Sequence, residues 1–146
     1  MTQALSTDLF AVGADLPEPP PRYVDRDTLA AFAEAYGDTN PIHLDPEAAR
    51  AAGLDDVIAH GMLSMALLGG LLAGWFPPGD ILTFRASFVA AVPVPARLRC
   101  TARVKALEET PTGQPAARLA LAVRLVDGPL AVRGEALVRI SRPGGV

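Results

Sequence analysis

From Val57 to Phe76 the chain carries a single ionisable side chain, His60, within twenty residues. No other feature narrows the possible folds as much. An apolar run of that length either crosses a bilayer, which takes ~20 residues, or is covered by protein. His60-Gly61 reads as the start of a helix, which leaves only about 15 helical residues, short of a span. No Lys or Arg stands close to either end to set a topology. Gly70 and Gly74 do have the small-xxx-small spacing of a membrane helix pair. The segments that follow, however, alternate apolar and polar residues and need an apolar partner for their inner face. A helix apolar on every side is expected to be buried on every side, so no membrane association is expected.

After Pro77-Pro78-Gly79 the period changes to two. Strands are expected at Thr83–Ala90, Leu98–Ala106, Ala117–Val126 and Leu130–Ile140. In the second of these, Leu98, Cys100, Ala102 and Val104 share one face, and Arg99, Thr101, Arg103 and Lys105 share the other. In the last, Arg133, Glu135 and Arg139 are expected to face out. Short turns at Pro111–Pro115 and Asp127-Gly128-Pro129 make these strands antiparallel neighbours, a meander. Upstream, Leu16–Pro21 (LPEPPP) is a stiff connector closing an extended arm over residues 1–22. A short helix follows from Asp27, with Leu29, Phe32, Ala33 and Tyr36 on one face, Asp25 or Asp27 as cap and Gly37 as stop. A second runs from the cap Asp45 through Pro46 and Glu47 to Gly53. The 146 residues therefore read as one α+β domain, residues 1–146, with a curved antiparallel sheet (82–140) wrapped around a central helix (61–74).

Composition removes several function classes. Half the residues are apolar and only 5% aromatic, so the core is built from Ala, Leu and Val. A net charge of −3 with no basic run leaves no footprint for nucleic acid. One cysteine, Cys100, excludes an intramolecular disulfide, and its place in an alternating strand marks it as a buried, inert thiol. Met1–Leu16 lacks the basic and apolar regions of a secretory signal, so a cytoplasmic protein is expected.

Reactive groups concentrate in one turn. Asp38 and His43 lie five residues apart with Asn40-Pro41 between them. Pro41 fixes its own φ and biases Asn40 away from helix, so the turn is stiff and can aim both side chains at one point. A carboxylate beside an imidazole is an acid/base pair. From spacing alone, a turn aspartate and a solvated histidine account for the same residues, and both readings stand. Ala59-His60-Gly61-Met62 opens the apolar helix, where free N–H groups and the positive dipole end favour an anion. Gly61 allows a ligand close to that backbone, or simply lets the chain bend into the helix. His60 reads as a structural hydrogen-bonding residue in preference to a catalytic one. His43-x-Asp45 has metal-ligand spacing, but no third ligand is near in sequence, so no metal is expected.

Tyr36-Gly-Asp-Thr-Asn-Pro-Ile-His43, followed by Ile58-Ala-His-Gly-Met62, resembles the signature of the MaoC-like (R)-specific enoyl-thioester hydratases, which have the hotdog fold. The resemblance runs from about Asp27 to Ile140. Ala52–Leu63 together with Val92-Pro-Val-Pro95 is especially similar to the catalytic subunit of the heterodimeric dehydratase of actinobacterial type-II fatty-acid synthase. The resemblance implies that Asp38 and His43 hold and activate a water, that the Gly61 amide binds the thioester carbonyl, and that Asn40 braces the loop. Some of these hydratases carry an assisting serine nine residues beyond the second motif's histidine. That position is Gly69 here, so no hydroxyl from this helix is expected to take part. Gly69-Gly70 instead leaves room for an acyl chain or permits close helix–sheet packing.

The implied reaction is hydration of a trans-2-enoyl thioester to the (R)-3-hydroxyacyl thioester, or its reverse. No cofactor is expected beyond the substrate's own CoA or carrier-protein phosphopantetheine. The implied partner is a second hotdog subunit, identical or not, and an acyl carrier protein is a further candidate. Rival readings are a hotdog thioesterase, a non-catalytic acyl-binding subunit, and a dehydratase of polyketide synthesis. Arg85, Arg97 and Arg99 can meet a carrier's phosphates, but on alternating strands they read first as a solvated face.

Overall fold

The computed structural model describes residues 4–141. The first three residues of the expected arm and the last five of the chain lie outside the described residues. The elements in chain order are β1 (Arg22–Val24), α1 (Arg26–Tyr36), α2 (Pro46–Ala51), α3 (Gly61–Trp75), β2 (Ile81–Phe88), β3 (Ala96–Glu109), β4 (Pro115–Leu125) and β5 (Leu130–Arg139). The strands form one antiparallel sheet in the order β1-β3-β4-β5-β2.

The expected alternation on β3 is present. Leu98, Cys100, Ala102 and Val104 are buried while Arg99, Arg103 and Lys105 are exposed. A register shift interrupts the pairing with β4 between Val104 and Ala106, and beyond it Leu107, paired with Ala117, is exposed toward the end of the strand. The inner face of the sheet packs on α3. Leu68 and Leu72 of the helix, and Leu98, Leu119, Val123, Ala136 and Val138 of the sheet, are fully buried. Each such Val or Leu contributes about 1.5–3 kcal/mol of apolar burial, so the helix–sheet layer holds the domain together.

Four expectations are corrected. The meander covers β3–β5 only: β2 pairs with β5 at the opposite edge from β1, and Val89–Pro95 carries the chain back across to β3. α3 is buried along one stripe, Leu63, Ser64, Leu68 and Leu72, while Ala66, Gly70, Ala73 and Gly74 are exposed. A single sheet covers one side of a helix, however apolar the other. Tyr36 is 55% exposed and stacks on Phe32 instead of facing the core. The arm is no free connector: Gly13 and Leu16 donate backbone hydrogen bonds to Val104 and Ala102, which ties it along β3, and Arg22–Val24 becomes a strand. No described helix is long and apolar enough to cross a membrane.

Candidate active site

The turn between α1 and α2 is built by local hydrogen bonds. Asp25 caps α1 in a reciprocal box with Thr28, and Gly37, at φ +84°, ends the helix in the left-handed region that glycine reaches without strain. Asp38 follows at once. Its Oδ1 accepts the Asn40 N–H at 3.1 Å, and Asn40 Oδ1 accepts the Ile42 N–H at 3.3 Å, opening a single 3-10 turn over Pro41–His43. Asp45 then caps α2 through the Glu47 N–H, so it is occupied and stands apart from the reactive pair.

That winding turns His43 inward, where it is 8% exposed. Its Nδ1 lies 2.7 Å from the Ile58 carbonyl oxygen. A carbonyl only accepts, so Nδ1 carries the proton and the neutral ring presents Nε2 as a lone pair. Nε2 stands 3.9 Å from Asp38 Oδ2. That gap is too long for a direct hydrogen bond and suits groups that share one bridging water. His60 lies beneath the pair, its ring stacked on His43 with centroids 3.9 Å apart and flanked by Phe32. Its Nε2 donates to the Asp38 backbone carbonyl at 3.0 Å, while its buried Nδ1 has no partner. His60 thus ties the start of α3 to the loop that bears Asp38.

Asp38, His43 and His60 each offer a ligand atom, all within 4.8 Å of one another. The rings are stacked with only 27° between their planes. The nitrogens not held by backbone carbonyls are His43 Nε2 and His60 Nδ1.

His43 also lines a cavity of about 350 Å³ with Gly61, Ser64, Phe88, Val132 and the Val89–Val92 segment. The crossover from β2 to β3 supplies that segment, and Ala59 N–H donates to the Val92 carbonyl at 2.8 Å to hold it against the start of α3. Gly61 is the first residue of α3 and is exposed, so its N–H lacks an intrahelical partner. A Cβ at Gly61 would stand 3.1 Å from the Phe88 ring, so the glycine admits that ring as well as any ligand. Gly69 faces Phe84, where a Cβ would make an ordinary contact at 3.5 Å, so close packing does not require a glycine there.

Sequence reasoning, guided by Gly69, expected no hydroxyl from this helix to take part and so did not weigh Ser64. It is the one hydroxyl on α3, it is 1% exposed, and it stands on the same cavity wall as His43 and Gly61. The available signal was a lone polar residue three positions after Gly61 in an otherwise apolar helix.

A larger depression, about 750 Å³, lies on the outer face of the sheet among Arg85, Arg99, Arg103, Lys105 and Glu135, away from Asp38 and His43. Most of its charges are engaged with one another, while Arg124 and Arg133, on the same wall, have no ion-pair partner among the described residues. Glu135 accepts from Lys105, Arg118 and Arg85, and these three hold its carboxyl down at about 2. Arg99 is paired with Glu18, so neither Arg85 nor Arg99 is a bare cation awaiting a phosphate. Cys100 is buried as expected, and desolvation raises its thiol to about 11.

A curved five-stranded antiparallel sheet around one apolar helix, with a carboxylate–imidazole pair at that helix's N-terminus, defines a single hotdog domain. Residues 9–116 match the MaoC like domain family, and the chain belongs to it. The (R)-specific enoyl-CoA hydratase of Aeromonas caviae is 37% identical over 114 residues, which cover 77% of this chain and 83% of that protein. A solved structure of an (R)-hydratase from A. caviae superposes with a TM-score of 0.76 at 34% identity, over 90% of this chain and 97% of that one. A UPF0336 protein of Clavibacter michiganensis is 49% identical, but over 55 residues only, 38% of this chain and 37% of that protein.

Proposed function

We propose that this protein is a hydro-lyase that adds water across the double bond of a trans-2-enoyl thioester, or removes it from the (R)-3-hydroxyacyl thioester. The observation that carries the reading is the 3.9 Å separation of His43 Nε2 and Asp38 Oδ2, with His43 on the wall of a cavity that also holds the exposed start of α3. One water at hydrogen-bond distance from both atoms can bridge the two side chains. In hydration its oxygen bonds to C3 while one of its protons passes to the pair, and C2 receives a proton from the pair. Dehydration reverses each step: C2 loses its proton, the C3–O bond breaks, and the hydroxyl leaves protonated as water. Negative charge builds on the thioester oxygen in between, and the Gly61 N–H at the helix N-terminus is the donor for it. Asn40 holds the loop in register, and His60 braces it from below. No resident cofactor is required, since the substrate brings its own CoA or phosphopantetheine arm.

The likeness to an (R)-specific hydratase over most of both chains supports the same reading. We place the working unit as a pair of hotdog subunits. Phe88 and Val89 are more than half exposed at the end of edge strand β2, and the small-residue face of α3 is uncovered. Sedimentation of a lone subunit at assay concentration refutes the pairing.

The test is disappearance of enoyl absorbance on mixing the purified protein with crotonyl-CoA, with the product identified and free thiol measured in parallel. A 3-hydroxyacyl product without thiol release supports the hydro-lyase. Thiol release makes the protein a thioesterase, and no turnover of CoA or carrier-protein thioesters by folded protein makes it a binding subunit.

A further inference from the structure

We propose that Ser64 is a substrate-contacting residue whose hydroxyl donates a second hydrogen bond, beside the Gly61 N–H, to the thioester carbonyl oxygen. The proposal rests on the hydro-lyase reading and assigns a residue that the Asp38–His43 chemistry does not use. Three observations carry it. Ser64 is 1% exposed on a helix whose remaining residues from Gly61 to Leu72 are all apolar, so its hydroxyl sits where an unsatisfied polar group is costly. Ser64 lines the cavity, where His43 and Ser64 are the only residues with polar side chains among the described lining residues. It lies three residues after Gly61, on the same face of the helix, and the Cα–Cβ bond of a helical residue tilts toward the N-terminus. Oγ is therefore carried up toward the level of the Gly61 amide, the place where a bound carbonyl oxygen has to sit.

A hydroxyl can hydrogen-bond one further group as donor while its lone pairs stay available to neighbours. The competing role for a buried helical serine is a bond back to the carbonyl four residues earlier, here His60, which concerns the helix alone. The two roles separate in kinetics. A donor to an oxygen that gains charge only in the transition state lowers kcat and kcat/KM together, whereas a helix bond alters stability without that pattern.

The experiment compares wild type with Ser64→Ala, Ser64→Thr and Ser64→Val on crotonyl-CoA, with the melting temperature of each variant measured alongside. Thr and Val have nearly the same shape and differ in the hydroxyl, so their ratio isolates it from packing. We expect kcat to fall about a hundred- to a thousandfold in Ser64→Ala and Ser64→Val at nearly constant KM, with Ser64→Thr within a few fold of wild type. If Ser64→Ala keeps wild-type kcat, or if Thr is as slow as Val at equal melting temperature, the assignment is overturned while the hydro-lyase reading stands. A wild-type protein that turns over no thioester overturns both.

Discussion

Replacing Asp38 with Asn separates chemistry from folding in this site better than any other single change. The side chain is 36% exposed, and its Oδ1 accepts one backbone N–H from Asn40. An asparagine amide keeps the shape and can still accept that N–H. The atom lost is the carboxylate oxygen that stands 3.9 Å from His43 Nε2, replaced by an NH₂ that cannot take a proton. No close ion pair breaks, so the folding cost is that of a surface substitution, about 0.5 kcal/mol or less. For a chain of this size that is a shift of ~2 °C or less. Removing a general acid/base costs ~10²–10⁴ in rate, which is about 2.7–5.4 kcal/mol at 1.36 kcal/mol per tenfold. The effect on the barrier is thus at least about five times the effect on the fold. The assay is the initial rate of enoyl loss, with thermal melting by circular dichroism on the same preparations. If both side chains act on one water as proposed, Asp38→Asn combined with His43→Gln should be little slower than the slower single variant. A rate within a few fold of wild type at unchanged melting temperature refutes the role of Asp38. Fully multiplicative losses refute the shared water.

Gly61→Ala forces a Cβ against the Phe88 ring at 3.1 Å, but that ring is 55% exposed and free to swing. Melting should therefore change by no more than about 1 kcal/mol equivalent, while turnover drops because the methyl and displaced ring crowd the amide; unchanged turnover refutes Gly61 as the carbonyl site. Cys100, raised to about 11 by burial, should resist alkylation at pH 8 in the native state and react on unfolding. The native thiol keeps its proton where the unfolded one has lost it, so stability should fall as pH rises from about 9 toward 11. Cys100→Ala should flatten that slope in urea titrations. On the acid side, Glu135 is held at about 2 against an ordinary 4.5. The unfolded state binds the proton first, so its contribution is present above about 4.5 and lost as pH falls toward 2. Glu135→Gln should be less sensitive to pH in that window, and an identical profile refutes the role of the three-cation cluster.

The chain's local chemistry was readable without coordinates. A cap at Asp25 or Asp27, the Asp45 cap, the stop at Gly37, the apolar helix from Gly61 and the two faces of β3 all follow from interactions between residues a few positions apart, and the sequence prints those spacings directly; the structure chose Asp25 over Asp27. The stiff Asp38–His43 turn was readable too, because Pro41 acts on its immediate neighbours. Tertiary structure alone decided what depends on distant segments meeting. The pairing of β2 with β5 sends Val89–Val92 across to the start of α3 and so makes the cavity wall; no local signal specifies which edge a strand joins. Burial of α3 on one side only is likewise set by where the sheet lies, since a helix with apolar residues all round has no preferred face to read. The carboxylate–imidazole gap, the stack of His43 on His60 and the meeting of Ser64 with His43 on one cavity wall share that cause. Each side chain is placed by its own element, but the distances between them are fixed by how those elements pack.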